Sequence, residues 1–131
     1  MKYIIIVSLL LVSLVFTRQT IAEDRIDFSK FDYTISVILV DKMVAKYATG
    51  TKAYQIKRTI YCESGFRNIQ SFIKKDGVRE ESYGIAQIHL PSHPSVSKSQ
   101  ALNPEFAIEF MSNNWNKVKW YGYNRNTDTC N

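Results

Sequence analysis

The chain begins with an apolar block and then alternates between amphipathic and polar stretches. Tyr3 to Phe16 is almost unbroken apolar sequence behind the single charge of Lys2. At about fourteen residues the block falls short of the roughly twenty that a bilayer-spanning helix needs. Thr20-Ile21-Ala22 then sets small residues at the two positions a signal peptidase reads. This predicts a cleavable signal peptide over residues 1–22 and one domain over 23–131. An uncleaved anchor is the alternative, because Arg18 and Gln19 make the site imperfect. Residues 23–31 are polar. Over 32–48, Val37, Val40, Val44 and Tyr47 recur at helical spacing, with Ile38 and Leu39 widening the stripe and Asp32 as N-cap. The β-branched run from Ile35 to Val40 also suits a strand. Thr49-Gly50-Thr51 breaks the pattern.

A second helix is predicted from about Lys52 to Glu63, stopped by Ser64-Gly65. Residues 65–82 read as a polar loop whose clearest turn is Asp76-Gly77. "SYGIAQIHL" follows as a short apolar piece, and 91–102 as loop with one helical turn. Asn103-Pro104-Glu105 is a strong helix start: an N-cap, a proline at the first helical position and an early acid. The helix it opens carries Phe106, Phe110, Met111 and Trp115, a core-facing stripe. The tail is aromatic and rich in turns. The expected fold is mainly α, an α+β arrangement with one short hairpin or irregular insertion in the middle.

Charge changes this picture little. Beyond residue 22 fifteen Lys and Arg face twelve Asp and Glu, a net charge of +3. The longest basic cluster is Lys74-Lys75, so no nucleic-acid partner is expected. A spread positive charge on a secreted or periplasmic protein favours acidic surfaces such as cell-wall polymers, although solubility alone also accounts for it. The two cysteines, Cys62 and Cys130, are an even count, which in an oxidising compartment predicts a bridge between the tail and the second helix. A cysteine nucleophile is disfavoured, because His89 and His93 sit among prolines in a loop-like stretch.

One residue departs from the core pattern. Ile56, Ile60 and Glu63 follow at i, i+4 and i+7, with Ala53 three residues before, so an acid ends the stripe that buries the second helix. Partial burial raises a carboxyl's pKa, and a carboxyl protonated near neutral pH is what general acid catalysis requires. A solvated helix end explains the same position without chemistry.

"ESGF" at 63–66, "SYGIAQIH" at 82–89 and "NPEFAIEF" at 103–110 together resemble the soluble lytic transglycosylase family of the lysozyme-like fold. That family closes a helix on Glu-Ser, follows it with a Gly-x-x-Gln segment, and opens a later helix with Asn-Pro or a close variant. In order, and with the helices that carry the first and last of them, the three motifs cover residues 53–115. The resemblance implies Glu63 as catalytic acid and base, Ser64 polarising or positioning it, and Gln87 lining the cleft. Gly84 would let backbone approach a saccharide, and Ser82 and Tyr83 would form hydrogen bonds or a wall. The family's later Ala-Tyr-Asn motif is missing. Only Gly122-Tyr123-Asn124 stands in its place, making Tyr123 a shortened equivalent or the fold a trimmed one. Trp120 and Tyr121 are candidates to stack on sugars.

The implied reaction is cleavage of the β-1,4 bond between N-acetylmuramic acid and N-acetylglucosamine, closing a 1,6-anhydro ring. The implied partner is the peptidoglycan glycan strand, met by a monomer without metal or cofactor and away from the membrane once the leader is removed. A lysozyme-type hydrolase on the same fold is the closest alternative and would need a second carboxylate, for which Asp76, Glu80 and Glu81 are candidates. A non-catalytic glycan-binding module is the alternative from another class.

Overall fold

The computed structural model describes residues 33–131, so the predicted leader, the polar segment 23–31 and Asp32 lie outside the described residues. The first described element is not helical. Strand β1 (Tyr33–Thr34) pairs antiparallel with β2 (Arg67–Asn68). Ile35, extended and buried, then donates its amide to Phe66 O at 2.9 Å. Helix α1 (Val37–Tyr47) starts only after Ser36, whose side chain caps the Leu39 amide. The later start sets which face points inward: Val40, Met43 and Val44 are buried, while Val37, Ile38 and Leu39 are exposed, Ile38 by 71%. The apolar run at 35–40 is thus divided between a strand-like entry and an exposed first helical turn.

Helix α2 (Gly50–Ser64) begins at the Thr49-Gly50 break and buries Ile56, Thr59 and Ile60. Gly65 ends it in the left-handed conformation, its amide donating to Tyr61 O at 2.8 Å. The polar stretch that follows is folded. Strands β3 (Lys74–Lys75) and β4 (Val78–Arg79) form a hairpin about Asp76-Gly77, both at positive φ as a type I′ turn requires. Strands β5 (Ser82–Tyr83) and β6 (Ile88–His89) form another around the buried Gly84-Ile85-Ala86.

A 3₁₀ turn over Leu90–Ser92 leads to the one-turn helix α3 (Lys98–Ala101), closed by a capping box between Ser97 and Gln100. Helix α4 (Pro104–Asn113) starts at the predicted cap: Asn103 Oδ1 accepts from the Glu105 and Phe106 amides at 3.0 and 3.2 Å. Its inward face differs from the expected stripe. Ala107, Ile108 and Met111 are fully buried, whereas Phe106 and Phe110 stack on each other half-exposed, with His93 edge-on to Phe110. Trp115 is buried just beyond the helix, with the Arg125 guanidinium 4.1 Å from its ring centre. The tail ends in β7 (Tyr123–Asn124) paired with β8 (Thr129–Cys130).

The architecture is mixed α+β: four α-helices and four two-stranded antiparallel pairs among the described residues. Strand pairing is more extensive than one central insertion. Val40, Ile56, Ile60, Ile85, Ile88, Ile108 and Met111 form the innermost packing, drawn from α1, α2, α4 and the β5–β6 segment. Asn68, fully buried, donates to Leu102 O at 2.8 Å and ties β2 to the α3–α4 junction.

Candidate active site

The two isoleucines that seat α2 in the core are fully buried, and Glu63, one turn further along, is half-buried where the helix emerges into a cleft of about 880 Å³. Burial pushes the Glu63 carboxyl above its ordinary pKa. Amides of the tail, from Gly122 and secondarily Tyr121, pull it back, and the charge of Glu80 adds to the rise. The Gly122 amide donates to Glu63 Oε1 at 2.8 Å. This approach depends on the absence of a side chain. A Cβ on Gly122 would stand 2.9 Å from Glu63 Cδ and 3.1 Å from the backbone of Cys62 and Glu63.

Ser64 does not touch the carboxylate through its hydroxyl, which donates to Ile85 O at 2.8 Å or to Ile60 O at 3.1 Å. It therefore anchors the end of α2 to the β5–β6 segment, positioning Glu63 rather than polarising it. Gln87 and Ser82 line the cleft. The Gln87 amide nitrogen is committed to Gly84 O at 2.7 Å and Ile69 O at 3.1 Å, leaving its oxygen as acceptor for a ligand. Gly84 serves packing: at φ +80°, a Cβ there would stand 1.8 Å from Ala101 O. Its place is against α3, not against a ligand.

Tyr83 and Tyr123 do not line the cleft. The Tyr83 ring is buried, with Lys98 Nζ 4.8 Å from its centre. The Tyr123 hydroxyl donates to Asp128 Oδ1 at 2.8 Å. The tail does reach Glu63, but through the backbone of the residue before Tyr123. Trp120 and Tyr121 form the cleft wall on this side, Tyr121 with 69% of its surface exposed and Lys119 Nζ 4.8 Å from its ring centre. The indole nitrogen of Trp120 is buried without a hydrogen-bond partner among the described residues.

Of the three acids in the central hairpin region, Asp76 is exposed at the β3–β4 turn and Glu81 is exposed outside the cleft. Glu80 lines the cleft, accepts from Ser71 Oγ at 3.2 Å and lies 4.0 Å from His89 Nε2. His89 and His93, expected only as loop residues, line the cleft too, and burial lowers the pKa of His93. Phe72 faces the same space, 59% exposed, with Arg67 and Arg79 each 5.0 Å from its ring centre. Gly122 had only a faint mark in the sequence, as the one glycine between two tyrosines late in the chain.

Cys62 and Cys130 are bonded, as their even count predicted, which fits an oxidising compartment outside the cytoplasm. Among the described residues no helix is long and apolar enough to cross a membrane. Compared with family models, with curated proteins and with solved structures, the chain has no match in any of the three, so its chemistry is to be read from Glu63 and what surrounds it.

Proposed function

We propose that this protein is a secreted or periplasmic lytic transglycosylase of lysozyme-like architecture that cleaves the β-1,4 bond between N-acetylmuramic acid and N-acetylglucosamine in peptidoglycan. The observation that carries this reading is the environment of Glu63: burial favours its acid form, while the Gly122 amide steadies its conjugate base. A group supported in both states can give a proton and take one back. In the first step Glu63 protonates the glycosidic oxygen, the C1–O4 bond breaks, and the N-acetylglucosamine leaves with a free 4-hydroxyl. Positive charge develops at C1 of the muramoyl residue. The Glu63 carboxylate then takes the proton from that residue's 6-hydroxyl, O6 bonds to C1, and the acid is regenerated with a 1,6-anhydro end. One carboxylate serves both steps, in contrast to glycosidases that use two.

A specific observation favours a hydrolytic reading as second choice. Glu80 lines the same cleft, and its charge bears on Glu63, which supports a part for it in holding a water or stabilising the cation. Mass spectrometry of digested peptidoglycan separates the two. Anhydro-muramoyl ends support the transglycosylase and reducing ends the hydrolase; intact strands, with or without binding, would overturn both.

A further inference from the structure

Tyr54, Arg58 and Cys62 lie four residues apart along α2 and form one stripe on its surface. Each is joined to the tail hairpin. Cys62 is bonded to Cys130. Tyr54 Oη donates to Asp128 Oδ2 at 2.7 Å, and Arg58 Nη2 donates to Asp128 O at 3.3 Å, with Nε 3.6 Å from Oδ1. From within the hairpin, Tyr123 Oη donates to Oδ1 at 2.8 Å. One carboxylate in the β7–β8 turn, at φ +55°, thus gathers two phenols and a guanidinium. These bonds, Tyr54's foremost, hold the Asp128 carboxyl below its ordinary pKa.

The stripe runs alongside the reactive position, because Glu63 is the residue after Cys62. Gly122 directly precedes β7 and is held in the hairpin by the Asn131 amide, which donates to Gly122 O at 3.0 Å. Where the hairpin sits on α2 therefore decides whether the Gly122 amide reaches Glu63 Oε1, and whether Trp120 and Tyr121 close the wall beside it.

We propose that Asp128 is a remote positioning residue for Glu63, seating the 123–130 hairpin on α2 so that Gly122 and the Trp120–Tyr121 wall are delivered to the carboxyl. Its catalytic meaning rests on Glu63 being the reactive group; the seating can be tested without substrate.

The test is a carbon-detected NMR titration of the Glu63 carboxyl in the full disulfide-bonded chain. The other ionisable groups lining the cleft, Arg67, Glu80, His89, His93, Lys117, Lys119 and Tyr121, are the same in every variant, so differences report the hairpin. Burial is the largest influence on Glu63, so Asp128→Ala, which loosens the wall, moves its midpoint down toward an ordinary glutamate. Gly122→Ala keeps the Asp128 anchor and displaces the amide, so its midpoint moves up. Asp128→Asn, which keeps two polar atoms at the anchor, falls between wild type and Asp128→Ala. Should Asp128→Ala fail to fold, Tyr54→Phe removes one anchor bond and gives the same downward shift, smaller. A raised midpoint in Asp128→Ala would mean that the amide is lost ahead of the wall, which is still loss of the seating; an unchanged midpoint, there or in Tyr54→Phe where that stands in, overturns the proposal. On peptidoglycan, Asp128→Ala should lose about 10- to 100-fold in cleavage, with the alkaline limb of its pH profile moved down. A wild type that cleaves nothing would sink the enzymatic reading but leave the titration result standing.

Discussion

The amide of Gly122 donates to Glu63 Oε1 at 2.8 Å across 59 residues of sequence. With a lesser contribution from the Tyr121 amide, it acts against the larger influence of burial. Burial and the amide thus pull the carboxyl's pKa in opposite directions, burial the more strongly. The cleft walls, Trp120 and Tyr121 among them, surround the carboxyl, and a distant glycine supplies the restraint.

Glu63→Gln keeps the shape and the acceptor oxygen but removes the transferable proton. Cleavage of peptidoglycan should fall by about 10²- to 10⁴-fold or more, with the near-ultraviolet circular dichroism spectrum unchanged. Activity within a factor of two of wild type would end the assignment of Glu63.

The same variant has a stability signature. Because folding raises the Glu63 pKa, the folded state holds this proton more tightly than the unfolded chain. The stabilising contribution is complete below the unfolded pKa and is lost as pH rises through the folded one. At pH 7 the tendency of this carboxyl to ionise works against folding, a burden that glutamine lacks. Melting curves should therefore show Glu63→Gln more stable than wild type at pH 7, with the difference vanishing near pH 4. A difference that grows on acidification contradicts the burial of this group.

Glu80→Gln removes a negative charge whose influence raises the Glu63 pKa. The alkaline limb of the pH–activity profile should shift to lower pH. If Glu80 does no more than this, anhydro-muramoyl ends persist among the products. If cleavage instead disappears and the wild type yields reducing ends, Glu80 is the second carboxylate of a hydrolase.

Gly84→Ala should be among the most damaging single substitutions in the protein. The position combines φ +80° with a Cβ contact of 1.8 Å to the Ala101 carbonyl, which is backbone and has little room to move. Strain and overpacking together predict a loss of about 3 kcal/mol or more, measurable by urea denaturation.

Removing the disulfide as Cys62→Ala/Cys130→Ala frees a loop with a sequence separation of 68. Chain-entropy reasoning places the loss of stability at about 4 kcal/mol, again read by urea denaturation. Cleavage measured well below the new midpoint should also fall, since the same bond tethers β8 beside Glu63.

The parts of this molecule legible in the sequence are those carried by short-range chemistry. Ile56, Ile60 and Glu63 announce a buried face ending in an acid, and Asn103-Pro104-Glu105 announces a helix start, because both depend on spacing within a few residues. The pairing of Cys62 with Cys130 was legible because only two cysteines exist. The start of α1 was misplaced because Asp32 and Ser36 are both capable caps, and β1 pairs with a strand more than thirty positions away. Phe106 and Phe110 look like core residues by type, yet they pack only partly buried at the core's edge, while Ala107, Ile108 and Met111 take its interior. Gly122 and Asp128 were not legible as site residues. Their roles exist only where the tail lies on α2, and nothing in their own neighbourhoods foretells that contact.

The tether across Cys62 and Cys130 also orders events in time. A chain halted before Gly122 has no amide to offer Glu63, and one still in a reducing compartment holds its tail by the Asp128 contacts without the covalent bond. Both have the glutamate without its finished surroundings. Synthesis through residue 130 followed by formation of the Cys62–Cys130 bond is then what completes the setting of the carboxyl.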